Sequence, residues 1–243
     1  MSRRLFDPAS PAPFALSRSK VVLFLECPRC FYLDRRLGIS RPAGFPLNLN
    51  AAVDALLKRE FDAWRARGEP HPLMREAGLD AVPFAHPELD TWRSAARGVR
   101  VLHESTRFEL YGAIDDLWQD RSTGELIVAD YKATAKEGEV TIESDWQEGY
   151  RRQMEFYQWL LRRRGFAVAR RGWFVYCNGR RDLERFDCRL EFRVAMLPYD
   201  GDDSWVEPAL AAMRETLEAP AAPPPAARCE YCAWARRAAG APA

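Results

Sequence analysis

Three residues near the middle of this sequence have the types and spacing needed for metal-assisted hydrolysis. Asp130 and Lys132 stand two apart in GELIVADYKAT, a strand-like run, so their side chains share one face and Tyr131 takes the other. The preceding run, RFELYGAIDDLWQ, reads as a partner strand, with Asp120-Arg121-Ser122-Thr123-Gly124 as the turn between them. A turn symmetric about Ser122 and Thr123 sets Asp115 opposite Asp130 and sends Asp116 to the far face. Two carboxylates with β-carbons about 5 Å apart repel unless something positive lies between them. An oxygen-only donor set suits Mg²⁺ or Mn²⁺, which keep several waters and accept phosphate oxygens. Lys132 would then sit beside the attacking water, orienting or deprotonating it and stabilising charge on a phosphate. A DxK by itself is equally well explained as a solvated ion-pair cluster on a surface hairpin.

The motifs around it change that balance. Gly112-Ala113-Ile114-Asp115 is followed by Asp130-Tyr131-Lys132 and then by Gln153-Met154-Glu155-Phe156-Tyr157. Gln153 and Tyr157 are i and i+4 and share a helix face. In this order the GxxD, (D/E)xK and QxxxY motifs resemble the RecB-like branch of the PD-(D/E)XK nuclease superfamily, which includes the CRISPR-associated Cas4 exonucleases. The resemblance runs from Ser17 to Cys232. It implies an α/β fold with a restriction-endonuclease-like core, a mixed central β-sheet flanked by helices, and terminal segments joined by a four-cysteine metal site. It also implies a Mg²⁺- or Mn²⁺-dependent deoxyribonuclease, exonuclease favoured over endonuclease, acting on single-stranded DNA or DNA ends. Repair, recombination or CRISPR-related processing would be its setting, with helicase, repair or CRISPR adaptation proteins as partners. Asp115, Asp130 and Lys132 would be catalytic, with Gln153 and Tyr157 lining the cleft. The alternative is an inactive nuclease-fold module that binds DNA or supports assembly.

Many relatives present a histidine on the helix before these strands as a further ligand. None of His71, His86 and His103 lies on the helical run from Asn50 to Arg67. Asp54 is the positional substitute for the Mg²⁺ or Mn²⁺ site, and a solvent-facing helix residue is its plainer reading. Lys58, one turn on, would contact phosphate or pair with Asp54. Arg151 and Arg152 are candidate phosphate anchors within a wider arginine rim, although such runs usually form a solvated face. Trp146 is one of several tryptophans able to stack on unpaired bases, most of which are expected in the core.

The six cysteines sort by spacing. Cys27-Pro-Arg-Cys30 and Cys229-Glu-Tyr-Cys232 are CxxC pairs near the two ends, whereas Cys177 and Cys188 stand alone in apolar, strand-like surroundings and read as core. Four thiolates from two such turns make a closed tetrahedral site. The family resemblance implies a [4Fe-4S] cluster, favoured slightly over Zn²⁺. The division departs from the family's, which places one cysteine upstream and three downstream.

The 243 residues, 47% hydrophobic, are sized for one substantial core, and the start has no apolar leader. No run approaches the roughly 20 apolar residues that span a bilayer. A cytoplasmic protein with no membrane partner is expected. Thirty-six basic residues nearly cancel 35 acidic ones, so no global basic excess advertises nucleic acid. Expected domains are a disordered tail (1–16) and a single domain (17–243), made of a helical part (17–98), a nuclease core (99–197) and a C-terminal helix, Pro/Ala linker and CxxC segment (198–243). Within it, Ser17 caps a helix, Pro28 starts the next, Gly38 stops it, and a loop spans ISRPAGFP. Val53, Leu56, Leu57, Phe61 and Trp64 mark one face of an amphipathic helix ended by Gly68. HPLMREAGLDAVPFAHPELD reads as loop, with a short helix from Glu88 to Arg97. RGWFVYCNG and ERFDCRLEFRVAML are strands, and DDSWVEPALAAMRETLEA is the last expected helix.

Overall fold

The structure is a computed structural model that describes residues 4–44 and 48–240. The chain opens with strand β1 (Phe14–Ser17) and helices α1 (Arg18–Glu26) and α2 (Pro28–Arg36), followed by α3 (Asn48–Arg67), α4 (Pro72–Glu76), β2 (Ala81–Pro83) and α5 (Leu89–Trp92). Next come β3 (Val99–His103), β4 (Phe108–Gly112), β5 (Asp116–Asp120) and β6 (Leu126–Thr134). After a 3-10 turn at Asp145–Gln147, the chain continues through α6 (Glu148–Arg163), β7 (Arg171–Gly179), β8 (Phe192–Asp200), α7 (Val206–Glu218) and α8 (Glu230–Ala239). Two compact units result. The first takes the described residues before 45, Leu102–Leu110 and those from Ser204 onward; the second takes 48–101 and Tyr111–Asp203.

The second unit holds a five-stranded sheet in the order β2-β5-β6-β7-β8. β5 and β6 pair antiparallel with Asp116 opposite Ala129 and Leu117 opposite Val128, the register expected from the turn. β6 and β7 are parallel, which requires a long crossover, and α6 supplies it. A strand covered on both faces need not alternate in polarity, and Leu126 to Tyr131 are all buried. One face packs on α3 through Leu57 and Phe61 with Trp118, Ile127, Ala129, Tyr131 and Val175. α6 lies against β6 and buries Met154, Tyr157, Leu160 and Leu161. This is the mixed α/β fold that the motifs imply.

Several local expectations are corrected. RFELYGAIDDLWQ is two strands, β4 and β5, interrupted at Ala113–Asp115. β4 belongs to a separate three-stranded sheet, β1-β4-β3. Residues 81–83, within the stretch read as loop, add an edge strand to β5, where Pro83 is tolerated. The helix expected from Glu88 to Arg97 is confined to Leu89–Trp92, and Gly98 follows with φ +64°. In the run ERFDCRLEFRVAML the strand starts only at Phe192. Cys188 precedes it, exposed and with φ +56°, so it is not core; Cys177 is buried on β7 as expected. On α3, Leu57 and Phe61 are buried but Leu56 is exposed.

The first unit packs α1 and α2 on α7. The tail expected to be disordered through residue 16 is ordered from Arg4 on. Phe6 and Phe14 are buried and meet edge-on at 5.3 Å, and β1 begins at Phe14. Two aromatic anchors outweigh a Pro/Ser-rich composition. Residues 1–3 of that tail, and Phe45 and Pro46 of the loop expected at ISRPAGFP, lie outside the described residues. Ser17 occupies the N-cap of α1 without a capping side-chain bond, while Pro28 opens α2 as expected. α8, directly after Cys229, was not anticipated. Among the described residues no helix is long and apolar enough to cross a membrane.

Candidate active site and cysteine cluster

The β5–β6 hairpin positions the acids. Its ladder stops at Asp116 and Ala129, and Asp115, one residue earlier, takes over with its side chain: Oδ2 accepts a 2.9 Å hydrogen bond from the Tyr131 amide. Asp130 is fully buried on β6. Gln153 of α6 donates through Nε2 to Asp130 Oδ1 at 2.7 Å and to the Tyr157 hydroxyl at 3.3 Å. The i, i+4 pair therefore reaches the acid that the DxK spacing singles out. Lys132 forms an ion pair with Asp130, and its Nζ lies 4.7 Å from the centre of the Tyr150 ring.

From α3, Lys58 Nζ lies 2.8 Å from Asp54 and 3.5 Å from Asp115. Lys58 thus sits between Asp54 and Asp115, and the three acids are not gathered into a convergent donor set of the kind the cysteines form. Burial alone favours a neutral Lys132 amine. The charges of Asp130 and Asp115 and the hydrogen bond to Asp130 outweigh it and raise the lysine pKa above its ordinary value. Lys132 is therefore an ammonium here, suited to orienting and to stabilising anions rather than to deprotonating water. Three carboxylates against two ammonium groups leave a negative excess made of hard oxygen donors. Carboxylate oxygens of this kind suit a hard divalent cation.

The other face of the hairpin is a buried ion network that sequence reasoning missed. Asp116, completely buried, receives Arg93 Nη2 at 2.7 Å, the Tyr131 hydroxyl at 2.8 Å and the Trp118 indole at 3.3 Å, and pairs with Arg65. Burial and the charge of Asp116 push the Tyr131 pKa well up, so it stays a neutral donor. Arg93 also donates to the Asp115 carbonyl at 3.0 Å and to Asp62. Removing one partner from a buried network of this kind costs about 3–5 kcal/mol. The sequence sent Asp116 to the far face of the hairpin but gave no sign that this face is core; once buried, a carboxylate needs cationic partners, and arginine remains charged there.

The expected phosphate anchors already have partners. Arg151 donates to the Ser144 carbonyl at 3.1 Å, and Arg152 pairs with Glu148 one turn away. Farther round, Arg162, Arg164, Arg171 and Arg180 pair with Asp203, Glu88, Asp200 and Asp182. A cleft of about 320 Å³ is lined by Trp146, Tyr150 and Tyr176 together with Asn50, Val53 and Thr134, at the end of the strand that carries Asp130 and Lys132. Trp146 is 62% exposed and meets Tyr150 edge-on.

In the first unit the two CxxC turns converge. All four sulfurs of Cys27, Cys30, Cys229 and Cys232 lie within 4.8 Å of one another. The donor chemistry fits a metal site.

A mixed sheet with a helix on each side carries the hairpin on which Asp130 and Lys132 lie, with Asp115 one residue before it. The chain belongs to the PD-(D/E)XK nuclease superfamily, whose sequence model matches residues 46–237. No curated protein matches. Among solved structures the chain is similar to one described as the crystal structure of SSO0001, with 14% identity and a TM-score of 0.42, covering 85% of this chain and 77% of that one.

Proposed function

We propose that this protein hydrolyses DNA phosphodiester bonds with Mg²⁺ or Mn²⁺, acting on single strands or DNA ends, as a RecB-like or Cas4-like member of its superfamily. The observation that carries the reading is the joining of two separate motifs at one carboxylate: Asp130 holds Lys132 on its own strand and receives Gln153, itself bonded to Tyr157, from α6. Asp115 and Asp130 would hold the cation. When bound, it would supply Lewis-acid polarisation of the phosphate and acidify the attacking water. Gln153 fixes the Asp130 carboxylate by occupying Oδ1. The Lys132 ammonium orients the incoming water and neutralises charge that builds on the phosphate oxygens; as the water attacks phosphorus it releases a proton to solvent, the P–O ester bond breaks, and the departing sugar oxygen takes a proton from solvent. Lys58 exchanges its contact with Asp115 for a non-bridging phosphate oxygen. The scaffold for these contacts is rigid, since Arg93 grips both the Asp115 carbonyl and the Asp116 side chain.

Support for an unpaired strand comes from the aromatic cleft. Stacking on exposed rings contributes about 1–3 kcal/mol per base and tolerates any sequence. Trp146 and Tyr150 offer such rings, Tyr150 beside Lys132, while Arg152, Arg162, Arg164, Arg171 and Arg180 are already engaged with acids. The test compares labelled single-stranded and blunt duplex DNA with Mg²⁺ or Mn²⁺. The wild type is expected to degrade the single strand faster, and Trp146→Ala to lose about 10-fold or more in single-strand binding, as the stacking energy implies. Equal cleavage of both substrates, unchanged by Trp146→Ala, would overturn the single-strand assignment while leaving the nuclease reading intact.

A further inference from the structure

We infer that the four-cysteine site is built for one tetrahedrally coordinated zinc ion and not for the [4Fe-4S] cluster that the RecB-like resemblance implies. The separations of the four sulfurs set the size of the site. Cys30 Sγ lies 3.6 Å from the sulfurs of both Cys229 and Cys232, and Cys27 Sγ lies 3.9 Å from Cys232. No sulfur pair in the set is farther apart than 4.8 Å. Zinc–thiolate bonds of about 2.3 Å in a regular tetrahedron put the sulfurs about 3.8 Å apart, which matches these separations. In a [4Fe-4S] cluster each thiolate binds a different iron, and the body of the cluster holds the sulfurs roughly 6 Å apart. Accommodating it would require every pair to open. None of the four is in a disulfide, which is far shorter than any of these separations.

Three further features agree with a closed, structural ion. The ligands come as two CxxC turns, the two-plus-two division typical of structural zinc and unlike the one-plus-three division of the cluster-bearing relatives. Each pair spans the start of a helix: Cys27 and Cys229 are the N-caps of α2 and α8, with Cys30 and Cys232 in the first turns, so both positive helix ends face the thiolates. Arg41 supplies a full charge. Its Nη2 lies 3.6 Å from Cys229 Sγ, and its guanidinium stacks on Tyr231 at 4.5 Å and pairs with Glu26. Four thiolates around a divalent ion carry net charge −2, which Arg41 and the helix ends offset. Cys27, Cys30 and Cys229 are buried, which would shield the ion from solvent.

The test uses the full-length protein expressed with supplemental iron and purified without oxygen. Metal and acid-labile sulfide are measured before and after incubation of the thiol-reduced apoprotein with iron and sulfide. X-ray absorption at the zinc edge and the visible spectrum of the Co²⁺-substituted protein report the ligands. The expected result is one zinc per chain, no sulfide, a shell of four sulfurs at about 2.3 Å, and the Co²⁺ bands of a tetrahedral tetrathiolate. Cys30→Ala should lose the zinc. If that variant fails to fold, the Co²⁺ spectrum of the wild type carries the decision. Iron and sulfide in equal amounts with the absorption of a cluster, a protein without bound metal, or zinc bound by fewer than four sulfurs would overturn the inference. None of these readouts depends on nuclease activity.

Discussion

Asp130 has no solvent exposure, yet it must stay ionised and correctly turned for a cation to bind. Lys132 supplies the charge balance, and Gln153 fixes the rotation by donating to one oxygen across 2.7 Å. A residue that orients a metal-binding carboxylate without touching substrate acts as a positioning residue, and loss of such partners costs about 10- to 100-fold in activity or metal affinity. Gln153→Ala is therefore expected to lower kcat by that factor, to raise the Mg²⁺ concentration needed for half-maximal rate, and to leave Tm almost unchanged. A Tm drop that accounts for the lost activity, with an unaltered Mg²⁺ requirement, would reduce Gln153 to a structural role. The spacing of Asp130 and Lys132 was legible because a strand's period of two allows only one arrangement. The pairing of Gln153 with Asp130 was accessible only through family resemblance, since nothing local says which strand a helix residue will reach. Which residues would partner Asp116 was not legible, since Arg93 and Arg65 lie 23 and 51 positions away along the chain.

At the scale of elements, the decisive feature is the break between β4 and β5. The sequence RFELYGAIDDLWQ alternates well enough to read as one strand, but the chain leaves one sheet at Gly112 and enters the other at Asp116. Gly98 accounts for part of this. It has φ +64°, and a β-carbon there would lie 2.5 Å from the Gly112 carbonyl oxygen, so the two backbones approach as only glycine permits. Gly98→Ala is expected to destabilise the protein by about 2–3 kcal/mol through the strained φ and the backbone clash together, measured as a shift in the urea midpoint. Asp115 follows within three residues of Gly112, so nuclease activity should fall more than the unfolded fraction explains. A neutral effect on both would show that the approach is not constrained. Hairpin register, by contrast, was readable because a polar five-residue turn between two apolar runs leaves little freedom. The edge strand at Ala81–Pro83 was hidden by its proline, and α8 by its position after the Pro/Ala linker.

Across the whole molecule, a formal net charge of +1 reflects 36 basic residues against 35 acidic ones, so composition could neither support nor exclude a nucleic-acid substrate. What identifies the chain is a local constellation within a superfamily match over residues 46–237. The two units separate the chemistry. The candidate active site lies in the second, whereas the cysteine site that ties residues 27–30 to 229–232 lies in the first. Hydrolysis of DNA by Asp115, Asp130 and Lys132 with a divalent cation is the proposal on which the functional reading depends. Its most direct test is the release of labelled nucleotides from DNA in Mg²⁺, Mn²⁺ or EDTA, comparing the wild type with Asp130→Asn, which preserves shape and removes the charge. Cleavage by the wild type is expected in either metal and not in EDTA, with loss of at least about 100-fold in Asp130→Asn, in line with the electrostatic contribution of a single catalytic group. Cleavage that survives EDTA or the substitution, or a folded wild type that binds DNA without cutting it in any of these conditions, would contradict it.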